Sequence, residues 1–355
     1  INKKIGLIVQ IKNEDNFTIL LNSIILVYLL KICFIIILKK REDIMNSIKY
    51  FLIGAISFIA IATSAQAITI GFSVARFDDN FLTTMRNDAV RAAEEGGHDM
   101  QVDDAKDDVG LQLSHVQNYI ASGVDAILVN AVDTSTTQAM TKAAESAGIP
   151  LVYINRQPID LDALGPTSTF VGSDEKWSGT LEAFEICNQA GGKGTAVMLM
   201  GQLTNEAAQT RSEDVREVIK LSMCSGIELI EEQTANWSRI EANDMITNWL
   251  ASGMEFDIVF ANNDEMAIGA IQALKNAGVS MDDVIIGGVD ATEDALNAMM
   301  AGDLDVTVFQ NAAAQGYGAV EAAATLAGGG SLPNFVVIPF ELVTMDNIDN
   351  YMGQN

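Results

Sequence analysis

The chain has 355 residues and a formal net charge of −26, from 21 basic and 47 acidic side chains. Eight of the basic and four of the acidic residues fall in positions 1–67, so positions 68–355 hold 13 against 43, a net charge of −30. A surface of that sign repels phosphate backbones and argues against a nucleic-acid partner. That stretch has only His98 and His115 and no C-x-x-C spacing, so neither a zinc site nor another cofactor is expected.

The apolar block at 18–38 carries Lys31 and is just long enough to span a bilayer. Met45 then opens a second pattern: a lysine at position 49, an apolar run over 50–62, and the small-residue ending Ala65-Gln66-Ala67. These are the parts of a secretory signal peptide cleaved before Ile68. Residues 45–67 are read as that signal and residues 1–44 as sequence upstream of it, a membrane anchor being the alternative. The 288 residues that remain suit two domains of ordinary size. Export permits a disulfide. Cys187 and Cys224 each stand near a helix end, just before a strand of the same half, and neighbouring parallel strands would bring those ends together. A bridge and two free thiols both remain open.

Residues 68–74, ITIGFSV, form an apolar, partly β-branched run that reads as a buried strand. It breaks at 76–80, a polar turn whose Asp or Asn can cap a helix. Phe81, Leu82, Met85, Ala89, Ala92 and Ala93 then fall near one helical stripe. The alternation continues with expected strands at 98–103, 126–130, 150–155 and 169–172 and helices at 109–122 and 135–147. A second series follows: helix 176–189, strand 194–200, helix 206–221, strand 227–231, helix 238–251, strand 257–261, helix 264–276, strand 283–289, helix 292–300, strand 306–309, helix 312–326 and strand 335–338. Strands alternating with helices of this length imply βαβ units and parallel sheets. Eleven or twelve strands are too many for one small doubly wound sheet, so the fold class is α/β with two lobes. The pairs Asp103-Asp104, Asp107-Asp108 and Asp282-Asp283 read as solvated loop charges.

Nearly every strand ends in a polar or aromatic residue: Asp79 and Phe81, Asn130, Asn155 and Arg156, Asn205 and Arg211, Trp237, Asn262 with Asn263 and Asp264, Asp290, and Gln310. In open α/β sheets ligands bind beyond the carboxyl ends of the strands, and two facing lobes would present these residues to one cleft. Planar Asp, Asn and Arg groups can grip adjacent hydroxyls in bidentate fashion, and Phe81 and Trp237 can cover the C–H faces of a ring. Asp79 and Asp290 balance Arg156 and Arg211, which suits a neutral polyhydroxylated ligand better than an anion. The plainer readings are helix caps for Asp and Asn, surface ion pairs for the arginines, and packing for Phe81 and Trp237. Gly191-Gly192-Lys193-Gly194 follows a helix and precedes a strand, the wrong order for a phosphate cradle. No catalytic constellation is visible, so an enzyme is not expected.

The stretches FDDNF (77–81), LVNAVD (128–133), PLVYINRQP (150–158), VGSDEKWSG (171–179), FANNDEMAIGA (260–270) and IIGGVDAT (285–292) carry a resemblance that spans nearly all of residues 68–355. The chain resembles periplasmic sugar-binding proteins of the ribose/galactose type, the solute receptors of bacterial ABC importers. FDDNFLT, INRQP and PFELVT (339–344) together look most like members that bind myo-inositol or rhizopine. The resemblance implies a type I periplasmic binding protein fold, with two Rossmann-like lobes and three crossings near 171–173, 309–311 and 338–340. The N-terminal lobe would be 68–172 plus 311–338, the C-terminal lobe 173–310 plus 339–355. It implies a ligand between the lobes, contacted by Asp79, Phe81, Asn130, Arg156, Arg211, Trp237, Asn263, Asp290 and Gln310, with Asn155 and Asn205 as weaker transfers. Asn205 stands where galactose binders carry His, Ala207 where they carry Asp, and their calcium loop is unmatched, which argues against galactose. Leu82 stands where ribose binders have a second Phe, which argues against ribose. The implied function is a monomeric periplasmic receptor for a neutral polyol or monosaccharide, myo-inositol-like favoured, closing about a hinge. Its implied partners are an inner-membrane ABC permease and, as a further candidate, a chemoreceptor. The alternatives are another pentose, hexose or sugar-alcohol receptor, or the ligand-binding core of a transcriptional regulator, which would need a DNA-binding motif ahead of residue 68.

Overall fold

The apolar run that opens the described region, residues 67–355 of a computed structural model, becomes strand β1 (Thr69–Val74), buried after its first residue. The expected signal peptide, Ala67 apart, and the segment before it lie outside the described residues. Asp79 caps helix α1 (Asn80–Gly96) by accepting the Leu82 N–H at 2.8 Å, and the expected apolar stripe of that helix is buried. The chain continues through β2 (Asp99–Asp104), α2 (Val109–Ser122), β3 (Ala126–Val129), α3 (Thr137–Ala147), β4 (Leu151–Ile154) and β5 (Ser168–Gly172). After β5 come α4 (Ser178–Gln189), β6 (Lys193–Met200), α5 (Glu206–Val218), β7 (Gly226–Thr234), α6 (Arg239–Ala251), β8 (Ile258–Ala261), α7 (Asp264–Asn276), β9 (Ile285–Ile286), α8 (Glu293–Met300) and β10 (Thr307–Gln310). The last elements are α9 (Ala312–Ala327), β11 (Phe335–Val337) and β12 (Phe340–Val343).

The strands form an α/β architecture around two sheets. One is fully parallel, in the order β11-β5-β4-β3-β1-β2. The other runs β7-β6-β8-β9, also parallel, and single bridges from Gly287 to Val306 and from Asp290 to Phe309 carry it on to β10. β12 closes that edge antiparallel to β10. The chain passes between the sheets three times: after β5, between β10 and α9, and between β11 and β12. Returning to the first sheet, α9 packs on α1 so closely that a Cβ on Gly316 would lie 2.7 Å from the Met85 carbonyl and the Ala89 nitrogen.

Three local expectations shift. The run at 283–289 keeps regular strand pairing only at Ile285–Ile286, because Gly287 and Gly288 follow and the chain holds its place by isolated bridges. β7 reaches Thr234 rather than residue 231; it is an edge strand with one solvated face, so its glutamates do not end it. Asp103 and Asp104 lie in β2, not in a loop, and Asp103 accepts the Tyr119 hydroxyl at 2.6 Å.

Cys187 and Cys224 are joined, with their Cα atoms 5.6 Å apart. The bridge ties the end of α4 to the turn entering β7, the neighbour of β6. Closing a 37-residue separation stabilises the fold by about 4 kcal/mol in the chain-entropy account. Replacing both cysteines by alanine is expected to lower the unfolding free energy by about 2–4 kcal/mol in urea titrations, and dithiothreitol to do the same to the native chain.

α4 also buries Glu182. Its Oε1 accepts the Ala261 N–H at 3.0 Å, while Oε2 has no partner among the described residues. Burial pushes its pKa up to about 8, against the Ala261 hydrogen bond and the Arg211 charge. A carboxyl raised on folding contributes stability that is complete below the unfolded value of 4.5 and is lost as pH rises through about 8. Glu182→Gln is therefore expected to flatten the decline in unfolding free energy between pH 5 and pH 8.5; equal declines in both proteins would refute the assignment.

Candidate functional site

Both sheets end their parallel strands toward a small, partly open cavity lying between them. The first lobe lines it with Asp79, Phe81, Leu82, Asn155 and Arg156; the second contributes Glu175, Asn205, Ala207, Arg211, Trp237, Asn263, Asp290 and Gln310. Ten of the eleven residues singled out in the sequence thus border one space. The eleventh, Asn130, is fully buried behind it, where Oδ1 accepts the Ala75 N–H at 3.2 Å and Nδ2 donates to Asn155 Oδ1 at 3.1 Å. Asn130 orients a cavity residue instead of facing the cavity itself.

Capping and lining coincide. Asp79, Asn205 and Asn263 cap α1, α5 and α7, each accepting a helix N–H with one side-chain oxygen, and each also borders the cavity. Three other lining residues sit in the left-handed half of backbone space: Asn155 (φ 68°), Trp237 (φ 64°) and Asp290 (φ 125°). That geometry is uncommon outside glycine and is retained where the surrounding structure fixes it. At Asp290 the fixing groups are visible. Asp264 accepts the Thr292 N–H at 2.8 Å and the Thr307 hydroxyl at 2.7 Å, and the Asn355 amide donates to the Asp290 and Gln310 carbonyls at 2.6 and 2.8 Å. At Trp237 the indole lies flat on Gly201, where a Cβ would come within 2.2 Å of the ring.

The two arginines are held differently. Arg156 donates to the Ala131 carbonyl at 2.8 Å, and burial together with the Arg76 charge pulls its pKa down to about 10 despite Asp79. Arg211 donates through Nε and Nη2 to the two carboxylate oxygens of Glu175, at 2.7 and 3.0 Å, and through Nη1 to the Asn262 carbonyl at 2.6 Å. Burial disfavours its charge, but the Glu175 carboxylate more than compensates and raises its pKa. Burial raises the pKa of Asp79, and raises that of Asp290 well above the ordinary carboxyl range; the neighbouring arginines oppose the rise at both. Glu175 was missed in the sequence, where it reads as one more acid at a helix start. It turns the expected balance of two acids and two bases into three against two.

Hydrogen bonds cross the cleft at its rim. Asn80 donates to Glu265 at 2.7 Å and Arg76 to the Asn236 carbonyl at 3.2 Å. Thr134 bonds the Thr204 carbonyl through its N–H at 3.1 Å, and its hydroxyl accepts the Glu206 N–H at 3.0 Å. The last bond caps α5, the helix that carries Arg211, from the opposite lobe.

Two parallel-sheet lobes, three chain passes and a polar cavity between facing strand ends define a hinged solute-binding protein. A family model for the periplasmic binding protein domain matches residues 70–331, and the chain belongs to that family. A Rhizobium meliloti protein assigned as rhizopine-binding is 53% identical over 308 residues, covering 86% of this chain and all of that one. The xylitol-binding protein of Mycolicibacterium smegmatis is 32% identical over 289 residues, 81% of this chain and 80% of its own length. Among solved structures, an ABC transporter solute-binding protein of Bacillus halodurans with bound myo-inositol superposes with a TM-score of 0.77 at 38% identity, covering 82% of this chain and 99% of that one.

Gly201→Ala is expected to leave the protein folded and displace the Trp237 indole, since the added methyl overlaps it; overpacking of this kind costs about 1–3 kcal/mol. The change in Trp237 fluorescence against the same substitution in a Trp237→Phe background checks it.

Proposed function

We propose that the chain is the periplasmic receptor of an ABC importer and takes one neutral, hydroxyl-rich ring of the inositol class into the inter-lobe cavity. The observation that carries this reading is the state of the cavity's polar groups. Trp237 Nε1 and Gln310 Nε2 are buried donors without a partner among the described residues, and the Asp79 and Asp290 carboxyls face the same space. Buried polar groups are costly unless bonded. A ring whose every hydroxyl both donates and accepts answers donors and carboxylates at once. Phe81 and the Trp237 indole supply apolar surface for its C–H faces. The relatives' names point the same way, toward rhizopine, xylitol and myo-inositol.

The eleven residues Asp79, Phe81, Asn130, Asn155, Arg156, Asn205, Arg211, Trp237, Asn263, Asp290 and Gln310 are proposed as the recognition set, ten by contact and Asn130 through Asn155. The lobes are proposed as 68–172 with 311–338 and 173–310 with 339–355. Ligand contacts from both lobes favour the closed arrangement, and closure strips water from each hydroxyl, so a missing or inverted one leaves a buried group unanswered. Delivery to an inner-membrane permease follows from the family's role, with a monomer as the delivering species and a chemoreceptor as a second docking partner.

The test is a thermal-shift screen of inositols, pentoses, hexoses and sugar alcohols followed by calorimetry. Asp290→Ala and Arg211→Ala are each expected to cost about 2–4 kcal/mol of affinity for the best ligand, the loss of a buried charged hydrogen bond. Unchanged binding in both variants would discard the assignment.

A further inference from the structure

We propose that Glu175 is a positioning residue that sets the charge selectivity of the cavity: it holds Arg211 in place and cancels its charge toward the ligand. The proposal rests on the polyol reading above and assigns a role to a residue outside the proposed recognition set. Glu175 sits in the short helical turn Glu175–Trp177, directly after the first pass between the sheets. It and Arg211 are both 4% exposed at the side chain. Both of its oxygens are committed to the guanidinium, and Oε2 also accepts the Ser178 hydroxyl at 2.9 Å. Arginine has five N–H groups. Two are fixed by Glu175 and one by the Asn262 carbonyl, leaving two, one on each terminal nitrogen. The guanidinium carbon lies 5.6 Å from the Trp237 ring and 5.7 Å from the Phe340 ring, so it has little freedom to swing.

The consequence is electrostatic. With Glu175 in place, Arg211 offers oriented donors without a net positive charge, and the cavity holds three carboxyls against two guanidiniums. A solute bearing its own carboxylate meets Asp79 and Asp290 with only Arg156 to offset them. Whatever proton Asp290 carries, Glu175→Gln moves the sum by one positive charge and releases Arg211 to face an anion. A purely structural role would predict equal losses for neutral and anionic solutes.

Calorimetry on the purified full chain with myo-inositol and D-glucuronate separates these. The wild type is expected to prefer the polyol strongly. In Glu175→Gln the ratio of the two affinities is expected to narrow by at least about tenfold, with glucuronate binding weakening as salt is added. Glu175→Asp, which keeps the charge on a shorter arm, is expected to lose polyol affinity while keeping the wild-type ratio. A Glu175→Gln ratio equal to wild type overturns the proposal. If Glu175→Gln does not fold, the paired variant E175Q/R211Q, which removes the ion pair and leaves the net charge of the cavity as it is, decides: it should keep the wild-type ratio while binding polyol more weakly, and a narrowed ratio overturns the proposal. A wild-type chain that binds no polyol instead refutes the parent reading, and this one with it.

Discussion

A parallel sheet ends all its strands on one edge, and here two such edges face each other. Between those edges the strands offer little recognition chemistry: β3, β4 and β8 are apolar and buried throughout, and their backbone groups are consumed by the ladders. Polar side chains are displaced to the strand ends, where the chain turns into the next helix. That turn needs a cap, and a cap needs a side-chain oxygen. Asp79, Asn205 and Asn263 each meet that need with one atom and carry a second polar atom beside it. The architecture therefore produces a polar cavity from the same residues that start its helices.

Burial decides what those residues can do. Asp79 and Asp290 are pushed toward holding protons, Arg156 is pulled toward losing one, and Arg211 stays charged because Glu175 lies against it. Each charge is offset by a neighbour from another element of its own lobe. The rim contacts of Thr134, Asn80 and Arg76 add bonds that exist only when the lobes approach. Affinity in such a molecule depends on two quantities, the fit of the cavity and the fraction of molecules in which it is assembled.

Most of this was legible in the sequence because period and punctuation agree. Apolar runs of four to six residues alternate with amphipathic stretches, and the ends carry Gly, Asn or Asp. What escaped was set by tertiary contact. β12 is short, antiparallel and half exposed, so no run of buried residues announces it. Asn130 and Asn155 are both asparagines at strand ends, and only the sheet order puts one behind the other. Glu175 carries no local mark separating it from Asp174; its role exists only once α5 brings Arg211 alongside. The cysteines left two outcomes open because pairing depends on the adjacency of β6 and β7, which pattern alone suggests without fixing.

The left-handed backbone at Asn155, Trp237 and Asp290 restricts the alphabet available there. Branched side chains are all but barred from such conformations, and asparagine, aspartate and glycine are favoured. A lineage adapting this scaffold to a new solute would find these three positions nearly frozen. Divergence would concentrate at Phe81, Leu82, Ala207 and Gln310, whose helical or extended geometry accepts almost any residue. Diversified libraries aimed at new sensors would do best to start there.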